Sequence, residues 1–214
     1  MSDVLGLVSA SAAAYLLGAV PFALLIGFML DVDLRKQGTR NVGAGNLTKL
    51  AGLRYGVVAA VLDGLKGLIP VLVVRRLGMA SVTVSLAGLA AVIGHNWSIY
   101  LRSRSGRGMA TAVGVVVGVA PVLLLWTTAW AVMGWRIGGG LGGFVGWGSL
   151  PVFALAAGQP GVVVILALAL SWVIIARRVQ GNYGRSPGFR AAAVRAVWDT
   201  DPVLHGSADE AATT

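Results

Sequence analysis

The sequence predicts an all-helical membrane protein, and three observations carry that prediction. Of 214 residues, 57% are hydrophobic and only 12% charged, with a mean hydropathy of +0.81, far outside the range of ordinary soluble domains. Apolar runs of about 20 residues recur along the chain, each long enough to cross a hydrocarbon core about 30 Å thick. Basic residues gather mainly at the ends of these runs, as membrane orientation requires. The length suits about five to seven short crossings and no separate soluble domain. With no cysteine, disulfides, thiol nucleophiles and thiolate metal sites are excluded. In a soluble protein the net charge of +9 and pI near 11.1 would suggest nucleic-acid binding. Here topology and anionic lipid account for the charge, so no nucleic-acid partner is expected.

The first run, about Val4 to Leu30, is too long for a signal-peptide core and lacks a basic start, so it reads as a retained helix. Pro21 bends it, and the freed backbone groups need partners on neighbouring helices. The second run, about Tyr55 to Val74, contains Asp63 and Lys66, spaced to share a helix face. Charges at that depth are costly, and a mutually paired, structural role is the favoured reading. A third run covers about Met79 to Trp97 and a fourth about Met109 to Trp135. A glycine-crowded piece, Gly138 to Ser149, precedes a last strong run from about Gly161 to Ala176. Residues 1–200 read as one transmembrane domain, and residues 201–214 as a disordered cytoplasmic tail. The tryptophans fit interfacial belts or packing rather than a cofactor box.

Orientation follows from Lys and Arg. Arg35, Lys36, Arg40, Lys49 and Arg54 lie between runs one and two, and Arg102, Arg104 and Arg107 between runs three and four. The tail holds Arg177, Arg178, Arg185, Arg190 and Arg195, whereas the opposite side has Arg75, Arg76 and Arg136. The expected arrangement is N-terminus outside, both loops and C-terminus in the cytoplasm. Parity is then unresolved, because an odd number of crossings must separate Arg136 from Arg177. Either Gly138 to Ala157 does not fully cross, or short extra helices follow Met109.

The two cytoplasmic loops carry the chemistry. The first, GTRNVGAGNLTK (Gly38 to Lys49), has glycines at 38, 43 and 45 that permit tight turns and an anion-binding nest of N–H groups. Thr39, Asn41 and Asn46 add neutral donors; Arg40 and Lys49 add charge. A flexible linker is the plainer alternative, and no GxxxxGK[ST] pattern occurs. In the second, SGRGMAT, Arg107 stands between Gly106 and Gly108 just before an apolar run. Helix-start N–H groups and the guanidinium can converge there on one phosphate. Arg102 reads as a topological anchor, and Arg104 and Arg107 as binding residues. His95, in GHNW, reads more readily as a hydrogen-bonded interfacial residue than as a catalyst.

These residues together carry a resemblance. A GxxPF-type first helix (Gly18 to Phe22), D-x-R-K-x-G-T-x-N-x-G-A-x-N, LDGLKG (Leu62 to Gly67), then GHNW and SGRGMAT follow in an order that resembles the bacterial acyl-phosphate:glycerol-3-phosphate acyltransferases, the PlsY family. The match runs from about Gly18 to Gly114. It implies a bundle of seven transmembrane helices, some short, in the bacterial inner membrane, with outside N-terminus and inside C-terminus. It also implies transfer of an acyl group from acyl-phosphate to glycerol 3-phosphate, giving lysophosphatidic acid. Membrane lipid and other phospholipid-synthesis enzymes are the further partners expected.

Carried over by position, Thr39 stands where the family has serine, Asn41 and Asn46 match, and Lys49 replaces an arginine. Arg107 stands where the family has the lysine of GGKG. The third motif departs: in VQGNYGRSPGF (Val179 to Phe189), Asn182 and Arg185 keep the N-x-x-R spacing, but Val179 replaces a histidine and the glutamate has no equivalent. The resemblance thus implies Thr39, Lys49, Arg107 and Asn182 as catalytic residues. The substrate phosphates would be held by Gly38, Arg40, Asn41, Gly43, Asn46, Arg104, Gly106, Gly108 and Arg185.

The expected mechanism needs no protein nucleophile, cofactor or metal. Acyl-phosphate is already activated, so the site aligns the acceptor hydroxyl and neutralises the leaving phosphate. No Ser-His-Asp set is expected, since the other histidine is His205 in the tail, and HxxxxD is missing because Tyr100 follows His95 at that spacing. Two other readings stand: a small transporter of a phosphorylated solute, and a catalytically impaired relative acting as a partner protein.

Overall fold

The computed structural model describes residues 2–102, 105–137 and 139–183, and every regular element among them is helical. The first run forms α1 (Ser2–Ala19) and α2 (Phe22–Phe28) on either side of Val20 and Pro21. The break needs outside donors, as expected. Ser98 Oγ donates to Ala19 O at 2.6 Å, and Lys66 Nζ to Val20 O at 2.7 Å. Next come α3 (Ala44–Ala51), α4 (Leu53–Arg76), α5 (Ser81–Asn96) and a 3₁₀ turn over Ile99–Leu101.

Small residues let these helices approach closely. A Cβ on Gly94 of α5 would overlap the carbonyl of Tyr15 in α1. A Cβ on Gly114 would likewise strike Gly64 O, which brings α6 (Met109–Val119) backbone-to-backbone against α4.

The run expected from Met109 to Trp135 is two helices, α6 and α7 (Leu123–Ile137), with the chain reversing at Ala120 and Pro121. Proline has no N–H to continue the ladder, and this turn is hidden inside an unbroken apolar stretch. Two short helices follow, α8 (Gly139–Gly148) and α9 (Leu150–Ala156), then α10 (Gly161–Tyr183). α7 pairs antiparallel with α8 and α9: the Trp126 indole donates to Ser149 Oγ at 2.9 Å, Trp130 lies against Gly146, and Gly134 against Gly142. α8 and α9 return antiparallel to α10, where Ser171 Oγ donates to Trp147 O at 2.5 Å and Gly143 faces Arg178.

This path corrects the expected position of Arg136. Gly143 faces Met109 as well as Arg178, so the α7–α8 turn, and Arg136 with it, lies at the end of the bundle that holds the second glycine-rich loop. The parity problem disappears. Four segments are long and apolar enough to cross a membrane: Asp3–Phe28, Leu53–Arg76, Ser81–Leu101 and Gly161–Gly181. With α6, α7 and the α8–α9 pair, the described chain traverses the bundle seven times. At 1.5 Å per residue, α6 is only about 16 Å long, roughly half the hydrocarbon core.

Candidate active site

The first loop is built around Asn46. It is 2% exposed and sits in the first turn of α3, so the AGN part of the motif, from Ala44, is helix rather than loop. Its Oδ1 accepts the Thr39 N–H at 2.9 Å, and its Nδ2 donates to Gln37 O at 3.1 Å and Leu34 O at 3.3 Å. One carboxamide thus ties the loop to the helix that follows. Gly38 (φ +56°) and Arg40 (φ +52°) are left-handed, and a Cβ on Gly38 would overlap Asn46 Oδ1. Gly43 is extended and Gly45 helical, so the tight turning falls on Gly38 and Arg40 instead of three glycines. Asn41 and Thr39 are half-buried; Lys49 is exposed in the last turn of α3.

Just upstream, Arg35 grips Asp33 through both carboxylate oxygens, each at 2.9 Å, and donates its backbone N–H at 3.0 Å. The side-chain hydrogen bonds from Arg35 hold the Asp33 carboxyl down at about 2.

The second loop is seated on the end of α5. His95 and Asn96 are 5% and 0% exposed. A Cβ on Gly106 would overlap His95 Nε2, and one on Gly108 (φ +72°) would overlap Asn96 Oδ1. Arg177 of α10 also holds the loop, donating from Nη2 to Ser105 O at 2.8 Å and from Nε to Gly106 O at 3.2 Å. Its Nη1 reaches Gln180 Oε1 at 3.0 Å, which also accepts the Trp97 indole N–H at 2.9 Å. Arg107, half-buried, stands between the two seated glycines at the start of α6.

The two loops meet. A Cβ on Gly106 would lie 3.0 Å from Val42 O, so the start of α3 and the start of α6 flank one point. Helix starts present unpaired N–H groups and partial positive charge. With Arg40, Lys49 and Arg107 at the same end, the arrangement suits an anion such as a phosphate. Asn182 lies in the last turn of α10, little more than a turn beyond Arg177. Arg104, Arg185 and residues 201–214 lie outside the described residues.

Two features were not read from the sequence. Arg177 had only the signature of a topological charge at the end of an apolar run, and nothing local marks it as a clamp. Asn96, beside His95, is a neutral amide at the end of an apolar run, with nothing local to mark it as a loop contact. One carboxylate does lie near His95, without a hydrogen bond to it. Asp63 Oδ1 lies 3.7 Å from His95 Nδ1, but it also faces Lys66 Nζ at 2.9 Å, and His95 Nε2 abuts the Gly106 backbone. Asp63 and Lys66 do form the paired, structural couple expected of them.

Comparison with known proteins identifies the family. A family model described as glycerol-3-phosphate acyltransferase matches residues 8–186. A glycerol-3-phosphate acyltransferase of Geobacter sulfurreducens is 35% identical over 169 residues, covering 78% of this chain and 87% of the relative. One of Geotalea daltonii is 44% identical over 112 residues, 52% of this chain; the matched stretch spans 58% of that relative's length. Two crystal structures of PlsY, an integral membrane glycerol 3-phosphate acyltransferase, superpose on the fold. The glycerol 3-phosphate form has a TM-score of 0.74 at 35% identity, covering 84% of this chain and 90% of the other. The lysophosphatidic acid form has a TM-score of 0.73 at 32% identity, covering 91% and 100%. The family match over residues 8–186 and the shared helical bundle have one explanation: this chain belongs to the glycerol-3-phosphate acyltransferase family.

Proposed function

We infer that this chain is a membrane acyltransferase that esterifies glycerol 3-phosphate to lysophosphatidic acid, the first step of phospholipid synthesis, with acyl-phosphate as donor. The observation that carries this reading is the meeting of two glycine-rich loops at Val42 and Gly106, in a chain matched by the family over residues 8–186. In the reaction, the acceptor hydroxyl oxygen bonds to the acyl carbon and the acyl–phosphate C–O bond breaks. The hydroxyl proton passes to a phosphate oxygen, and inorganic phosphate leaves. Arg107 and the helix-start N–H groups neutralise charge gathering on that phosphate. Thr39, Arg40, Asn41, Lys49 and Asn182 align the acceptor. Asn46 acts through the Thr39 amide that it holds.

The charge distribution supports loops facing the cytoplasm, an outside N-terminus and residence in the bacterial inner membrane. Purified protein should be incubated with radiolabelled glycerol 3-phosphate and either a long-chain acyl-phosphate or the matching acyl-CoA, and the lipid extracted. Labelled lysolipid should form with acyl-phosphate alone. Equal rates with acyl-CoA would remove the donor assignment, and no product with either would sink the acyltransferase reading.

A further inference from the structure

Resting on that reading, we propose that His95 and Asn96 are positioning residues. They seat the two glycines flanking Arg107 and thereby set where its guanidinium and the start of α6 meet the substrate phosphate. Two adjacent residues of α5 support alternate residues of the loop. The His95 ring fills the space beside Gly106, and the Asn96 carboxamide the space beside Gly108. Arg107 is held between them.

The seats are themselves anchored. Asp63, paired with Lys66, lies against His95 Nδ1 at 3.7 Å, and Asn96 Nδ2 reaches Val173 O at 3.5 Å. Arg177 also grips the loop at Ser105 and Gly106. The loop cannot build this support from its own residues. Glycines contribute no side chain, and Gly108, the N-cap of α6, makes no side-chain capping bond. Absence of a Cβ at 106 and 108 is therefore the counterpart of bulk at 95 and 96. A misplaced phosphate-binding group costs rate more than affinity when its contact matures only in the transition state.

The test is a compensation experiment. Gly106→Ala should lower kcat, and with it kcat/KM for glycerol 3-phosphate, by about tenfold or more. Adding His95→Asn, which removes the overlapping end of the ring, should restore kcat several-fold above Gly106→Ala alone. Asn96→Ala, which opens space without adding bulk, should speed amide hydrogen exchange in residues 105–109 and leave α1 and the first half of α4 unchanged. A double variant no better than Gly106→Ala would overturn the proposal, as would unchanged exchange in 105–109 with Asn96→Ala. Absence of transfer by the unaltered protein would sink the acyltransferase reading alone, because the exchange measurement still decides whether Asn96 holds the loop.

Discussion

Lys66 donates its ammonium to the carbonyl oxygen of Val20 at 2.7 Å, linking the middle of α4 to the break in the first membrane helix. Asp63, one turn earlier, holds the same ammonium at 2.9 Å, and the ring of Phe22 lies 5.7 Å from it. Both charged side chains are nearly inaccessible. A proline break and a buried charge, each costly alone in a bilayer, therefore satisfy one another.

Removing only the ammonium leaves a buried carboxylate without its main partner. Lys66→Met should lower stability by about 3 kcal/mol or more, read from melting in detergent. Asp63→Asn in the same chain should recover part of the loss, but not all, because Val20 O still lacks its donor. A single variant that melts with the unaltered protein would show that the couple contributes nothing.

Arg107→Ala should reduce turnover by about 10² at equal folded protein, the scale of losing one strong electrostatic donor. Arg107→Lys should keep most activity. Arg136 is not a fit control, since it shares the loop end of the bundle, so Arg76→Ala at the far end of α4 serves instead. Equal activity of Arg107→Ala and Arg76→Ala would reduce the second loop to a topological anchor.

Asp33 makes a pH prediction with a definite sign. Its folded pKa of about 2 lies below the ordinary 3.8 because Arg35 donates to its carboxylate. The contribution is therefore complete above about pH 4 and lost as pH falls toward about 2. Protection of the amides of residues 33–46, taken against the intrinsic exchange rate at each pH, should fall across that window, and Asp33→Asn should abolish the acid step. Near neutrality the Asp33 titration should leave no mark on the rate profile.

Sidedness is open to direct measurement because the chain has no cysteine. Single cysteines replacing the exposed residues Lys36 and Leu77 should react with an impermeant maleimide from opposite faces, Lys36→Cys from the cytoplasm and Leu77→Cys from outside. Labelling of both from one face would contradict the seven-pass path.

The class of this protein was legible in the chain because hydropathy and charge placement are local quantities. Runs such as Tyr55 to Val74 have one environment open to them, and the clustered Arg and Lys mark the loops. The ordered motifs from Gly18 to Gly114 were equally readable, as was the pairing of Asp63 with Lys66, which needs only helical spacing. What the chain alone left undecided depends on residues far apart in sequence. The reversal at Pro121 lies inside a uniformly apolar run, and only antiparallel contacts such as Trp130 with Gly146 move Arg136 to the loop end. Asn46 looked like a ligand until three backbone groups of its own loop claimed its side chain. The same holds for Arg177 on Gly106, and for His95 and Asn96 beneath the second loop. A polar side chain has many partners open to it in an extended chain, and packing of distant helices selects which one it meets.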